Sequence, residues 1–173
     1  RVRALVVSKS SLSSSGLMTA ADEPILLYQY RCQGIIHLTM NRPKAFNSLS
    51  SELMSEMQSA LDGAHEDPSI RLIIIDGSGP GFSSGHDLRE VTSFQTVKER
   101  QDLMEQCSKL MLSVVHCSRP VIAKVHGVAA AAGCQLVASC DLAVATDDAK
   151  FLTPGVNIGL FCSTPMVLSL IHI

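Results

Sequence analysis

Apolar positions along this chain fall into short runs, and the period of the pattern changes from one run to the next. ILLYQYR and GIIHLTM, within residues 25–40, are rich in β-branched and aromatic residues and predict two strands joined by a turn near Gln33-Gly34. Over residues 49–65 the spacing becomes helical: Leu49, Leu53, Met57, Leu61 and Ala64 share one stripe. Ser48 or Ser50 is placed to cap that helix, and Asp67-Pro68 stops it. A strand over residues 72–76 follows, so strand, helix and strand make a parallel pair. Residues 95–116 predict a second long helix with Met104, Cys107, Met111 and Val114 on one face, ended by Ser118-Arg119-Pro120. Further strands are expected at residues 121–125, 142–145 and 150–153.

Two stretches stand out because they carry little side-chain bulk. In residues 119–141, RPVIAKVHGVAAAAGCQLVASCD, Gly127 breaks a strand, Ala129 to Gly133 follow, and a helix-compatible pattern resumes at Cys134. Such a turn exposes main-chain N–H groups at a helix N-terminus, where unpaired donors and the helix dipole favour negative charge. It also suits a helix packed tightly against a neighbour. Residues 72–88, LIIIDGSGPGFSSGHDL, repeat the arrangement of strand, glycine-rich loop and helix start. Two such units can direct two N–H groups at one oxygen.

Four blocks occur in order between about residues 24 and 165: Asn41-Arg42-Pro43 with Asn47-Ser48-Leu49, FSSGHDL, the run from His126-Gly127 to Cys140-Asp141, and the run from Phe151 to Gly159. They resemble the NRPxxxNxL, FxxGxDL, NGxxxGGGxxL…CD and FxxPExxxG motifs of the crotonase (enoyl-CoA hydratase/isomerase) family. FSSGHDL and AAAAGCQLVASCD resemble one mitochondrial subgroup of it most closely. The resemblance implies an α/β fold, the crotonase-like ββα spiral, truncated before the C-terminal helical region. Residues 23–165 are then the crotonase-like core, and residues 166–173 (MVLSLIHI) a divergent tail.

The resemblance also implies a ligand and a site. The ligand is a coenzyme A thioester, an acyl-CoA, with no permanently bound cofactor. Backbone N–H groups of His86 and Ala132 take the places of the family's two oxyanion donors, Ala132 standing where glycine is common. Lys44 and Ala45 match the nucleotide-side loop, Ser84 matches the position whose carbonyl meets the CoA adenine, and His86, Asp87 and Leu88 complete that stretch. Family members that add water use two glutamates. Gln135 and Gly155 stand at those positions, and neither supplies a general base near pH 7. Two readings follow: an acyl-CoA-binding protein of mitochondrial fatty acid metabolism that is not a hydratase, or an acyl-CoA-processing enzyme that joins the oxyanion donors to a different catalytic group. A homotrimer is expected of a full-length chain.

Composition narrows this further. With 173 residues, 46% hydrophobic and 17% charged, the chain has the makings of one packed domain. A net charge of −2 gives no electrostatic footprint for nucleic acid. The six cysteines lack CxxC spacing and read as buried thiols, with no metal site. No apolar run is long enough for a membrane span. Residues 1–22 contain Arg1, Arg3, Lys9 and many serines, with no acid before Asp22, which suits a mitochondrial transit peptide. Asp87 is placed to cap the helix after it. Ser83, Ser84, His86 and Asp87 are too nearly consecutive to converge as a hydrolase triad.

Overall fold

The computed structural model describes residues 24–159; the expectations for residues 1–22 and 166–173 lie outside them. β1 (Leu26–Arg31) and β2 (Ile35–Met40) form an antiparallel hairpin through a short 3-10 turn. Helix α1 (Ser51–Glu66) then carries the chain to β3 (Leu72–Gly77), which lies parallel to β2. α2 (Leu88–Ser93) and α3 (Val97–Val115) lead to β4 (Val121–Val125), parallel to β3. β5 (Val128–Ala130) and α4 (Ala132–Ser139) precede β6 (Leu142–Ala145), which completes a five-stranded sheet of order β1-β2-β3-β4-β6. β7 (Lys150–Leu152) pairs in parallel with β5 as a separate two-stranded sheet.

The core lies on one face of the larger sheet. Alternate residues of its strands, among them Ile36, Leu38, Met40, Ile73, Ile75, Val121 and Ala123, are buried against α1 and α3. α1 contributes the expected stripe: Leu53, Met57, Leu61 and Ala64 are buried, with Met54 beside them. Ser50 caps it, its hydroxyl accepting from Leu53 N–H. α3 differs from expectation. Cys107, Met111 and Val114 are buried, but their partners are Leu103 and Leu110, and Met104 is 45% exposed. α3 begins at Val97 with a capping box, Thr96 and Glu99 each satisfying the other's backbone N–H.

The opposite face of the sheet carries a polar group at the carboxyl ends of β3 and β4. Asp76 lies 3.9 Å from His37 Nδ1 and 3.6 Å from Lys124 Nζ. Among the described residues Cys107 is buried, and Cys117, Cys134 and Cys140 are half-buried. Burial pushes the Cys107 thiol up to about 11, and burial with the nearby Asp141 charge pushes Cys140 up to about 12. Both stay protonated and unreactive at neutral pH. No helix among the described residues is long and apolar enough to cross a membrane.

Candidate active site

Four segments far apart in sequence meet at one end of the molecule, and hydrogen bonds hold them edge to edge. The middle one is residues 83–87. On one side Ser83 N–H donates to Val128 O at 3.1 Å and Ser83 O accepts from Ala130 N–H at 2.8 Å, so this segment pairs in parallel alongside β5. On the other side Ser84 N–H donates to Phe46 O (3.0 Å), Gly85 O accepts from Leu49 N–H (2.7 Å) and Asp87 N–H donates to Leu49 O (3.1 Å). The last two bonds make a one-residue parallel bridge between Leu49 and His86. In such a bridge the facing residue turns its own N–H away from its partner. His86 N–H therefore leaves the segment on the edge opposite Leu49.

Helix α4 starts beside that edge. A Cβ added to Gly85 would lie 3.2 Å from Ala132 N, 3.0 Å from Ala130 O and 2.9 Å from Ala131 Cβ. A Cβ on Gly133 would lie 2.6 Å from Ser83 O. Two glycines thus let the helix start approach the 83–87 segment backbone to backbone. Ala132 is the first residue of α4, so its N–H has no acceptor within the helix. Among the described residues no backbone carbonyl accepts from His86 N–H or Ala132 N–H. The arrangement therefore offers two unclaimed donors from neighbouring segments.

The turn that presents Ala132 is unusual. Ala131, the N-cap of α4, has φ 48° and ψ −119°, a conformation natural to glycine and costly for an alanine. Its N–H is held by Leu152 O at 2.9 Å, and its carbonyl accepts Gln135 N–H at 3.0 Å. The expected start of α4 at Cys134 moves to Ala132 for this reason, and β5 adds a short strand where a featureless small-residue turn was expected. Gln135 sits one helical turn beyond Ala131 and is half-buried. Gly155 is buried in a 3-10 turn, Pro154–Ile158, three residues after Leu152. Three residues of chain reach at most about 11 Å, so Gly155 stays near the α4 start.

The loop carrying Asn41-Arg42-Pro43 serves as scaffold. Asn47 is fully buried with φ 51°; its amide donates to Ser78 O (2.7 Å) and Gly81 O (2.9 Å), and its Oδ1 accepts Arg42 N–H (2.9 Å). Asn tolerates this left-handed geometry better than most residues. Asn47 thereby ties the loop to the one before residues 83–87, a role that its side chain's capacity for three bonds explains. Lys44 and Phe46 are exposed on the same loop, Ala45 is half-buried, and Ser84 and Leu88 are exposed beside it.

Asp87 caps α2, accepting from Arg89 N–H at 3.2 Å. It also takes Arg42 Nη2 at 2.8 Å and Ser48 Oγ at 3.2 Å. Burial pushes its carboxyl up, but these bonds and the Arg42 charge outweigh that and hold it below the usual carboxylate value. The His86 imidazole is lowered by burial, against the pull of Glu90, so it is neutral at pH 7. Its buried Nδ1 has no hydrogen-bond partner among the described residues. Glu90 itself accepts Ser51 N–H at 2.9 Å, joining α2 to the start of α1.

The chain is similar to proteins of one family. The family model described as enoyl-CoA hydratase/isomerase matches residues 31–172. The human protein named enoyl-CoA hydratase domain-containing protein 3, mitochondrial, is 44% identical over 157 residues, covering 91% of this chain and 52% of that protein. The zebrafish (Danio rerio) protein of the same name is 46% identical over 162 residues, covering 94% and 54%. Among solved structures, an enoyl-CoA hydratase of Mycobacterium smegmatis has a TM-score of 0.84 at 45% identity, covering 87% of this chain and 59% of that one. The crystal structure of human enoyl-CoA hydratase domain-containing protein 3 gives 0.80 at 44%, covering 85% and 58%. The chain spans about half the length of the curated relatives it matches. It belongs to the enoyl-CoA hydratase/isomerase family.

Proposed function

We propose that this chain binds an acyl-CoA thioester through the N–H groups of His86 and Ala132, and that it does not hydrate enoyl-CoA. One observation carries the reading: two donors unclaimed by backbone carbonyls adjoin where Gly85 meets the start of α4, while the positions nearby that would move protons hold Gln135 and Gly155. Bare backbone at Gly85 and Gly133 keeps the two donor-bearing segments side by side, because any Cβ there would collide with the facing segment. Each preorganised donor of this kind is worth about 2.7–4 kcal/mol to a developing oxyanion. The donors polarise a carbonyl; they do not create a nucleophile from water. A positioned general acid or base contributes roughly 10²–10⁴-fold, and a neutral amide and a glycine contribute none of it.

The nucleotide end of the ligand fits the exposed loop of Lys44 and Ala45 beside Ser84, with Asp87 and Leu88 forming the adjoining helix start. Relatives named as mitochondrial, together with the Arg- and Ser-rich start of this chain, favour a mitochondrial setting in fatty acid metabolism. A homotrimer remains the expectation for a full-length chain. A second reading, an acyl-CoA-processing enzyme, has one observation in its favour. The His86 imidazole is neutral at pH 7, and its buried Nδ1, beside one of the donors, has no hydrogen-bond partner among the described residues.

Measuring turnover and binding in parallel across a set of acyl-CoA thioesters separates the readings. Binding without turnover is expected, with partial hydratase activity appearing in Gln135→Glu combined with Gly155→Glu. Hydration by the unchanged protein that survives Gln135→Ala would place the site elsewhere.

A further inference from the structure

The donor at His86 is set by bonds that its neighbours make. Gly85 O and Asp87 N–H both pair with Leu49, so the direction of His86 N–H depends on how Leu49 and Asp87 are held. One side chain reaches both flanks of that pairing. Arg42 Nη1 donates to Ser48 O and, at 3.2 Å, to Ser48 Oγ; Arg42 Nη2 donates to Asp87 Oδ2 at 2.8 Å. Ser48 Oγ closes the ring by donating to Asp87 Oδ2 at 3.2 Å. Arg42 is itself fixed by its backbone: its N–H meets Asn47 Oδ1 at 2.9 Å and its carbonyl accepts Asn47 N–H at 3.0 Å.

We propose that Arg42, acting through Ser48 and Asp87, is a positioning residue that aims His86 N–H, an inference that rests on His86 N–H being an oxyanion donor. The chemistry calls for arginine. A planar guanidinium spans two acceptors in fixed directions, whereas a lysine ammonium is a single point on a flexible stem. The pair is largely shielded, with 22% of the Arg42 side chain and 12% of the Asp87 side chain exposed. It braces the pairing of residues 85–87 with Leu49 from the edge opposite His86 N–H. A mispointed donor weakens a thioester contact steeply, since small displacements of a positioned group cost roughly 10²-fold in well-ordered sites.

The test separates aim from folding. Acetyl-CoA labelled with ¹³C at its carbonyl is bound to the wild-type chain and to Arg42→Gln, Arg42→Lys and Asp87→Asn, and the carbonyl stretch is recorded by infrared difference spectroscopy. Affinity for unacylated CoA is measured for each. In the wild type the stretch is expected to move to lower frequency. In Arg42→Gln most of that shift should vanish, and the preference for acetyl-CoA over CoA should fall about tenfold, less than the roughly 10²–10³-fold that outright loss of a donor costs a developing oxyanion. Arg42→Lys should recover only part of the shift while its CoA affinity stays near wild type, and the carbonyl shift of Asp87→Asn should lie between. Full carbonyl shifts in all three variants overturn the inference and leave the proposed function standing. A wild-type chain that binds acetyl-CoA with no carbonyl shift overturns both.

Discussion

Ala131 shows how much a single residue can carry. It holds a glycine conformation at φ 48°, and its methyl is the atom that a Cβ on Gly85 would approach to 2.9 Å. Removing the methyl relieves the backbone, so Ala131→Gly should raise stability by about 1 kcal/mol despite glycine's greater freedom when unfolded; urea denaturation measures it, and a loss of stability would mean the turn is not strained. His86 makes a second residue-scale prediction. Its folded pKa is lowered, chiefly by burial. The unfolded chain therefore takes up a proton first as pH falls, and the stability present above the ordinary histidine value of about 6.5 is lost on going lower. Stability should decline from about pH 7 towards pH 5, and His86→Gln should flatten that slope.

At the scale of elements, most of the pattern was open to reading. Helix α1, with its stripe and Ser50 cap, and strands β3 and β4 follow directly from spacing and breakers. On α3 Cys107, Met111 and Val114 are buried as expected and Met104 is not, because Leu103 and Met104 are adjacent and either continues a helical stripe through Cys107. Packing against α1 selects Leu103 and Leu110. Leu103→Ala should accordingly cost about 2–5 kcal/mol, and Met104→Ala about 0.5 kcal/mol or less, by thermal or denaturant unfolding. β5 escaped notice because three small residues carry no period; only its pairings with β7 and Ser83 define it. The proposed donors, His86 and Ala132, rest at the level of sequence on motif order alone. The bonds made by Asn47 and Arg42 were not legible there, because both reach residues more than thirty positions away or across a turn.

At the scale of the molecule, β6 is an edge strand whose four residues, Leu142–Ala145, are all exposed, with Leu142 and Val144 at 62% and 63%. An exposed apolar edge invites pairing with another chain. Concentration-dependent association is expected by light scattering, and Val144→Lys should reduce it while leaving the melting temperature within a few degrees; an unchanged scattering profile would acquit the edge. The hydrogen bond from Ala131 to Leu152 has a consequence of another kind. On the ribosome, the turn at Ala131 is made about twenty residues before the strand that secures it, β7. At about 5–20 residues per second, that interval lasts on the order of one to a few seconds. During it the turn at Ala131, unfavourable on its own, has no Leu152 carbonyl to hold it. Slow codons between these positions would lengthen the wait, and fast ones would shorten it, so the timing of synthesis bears directly on how often the cradle closes correctly the first time.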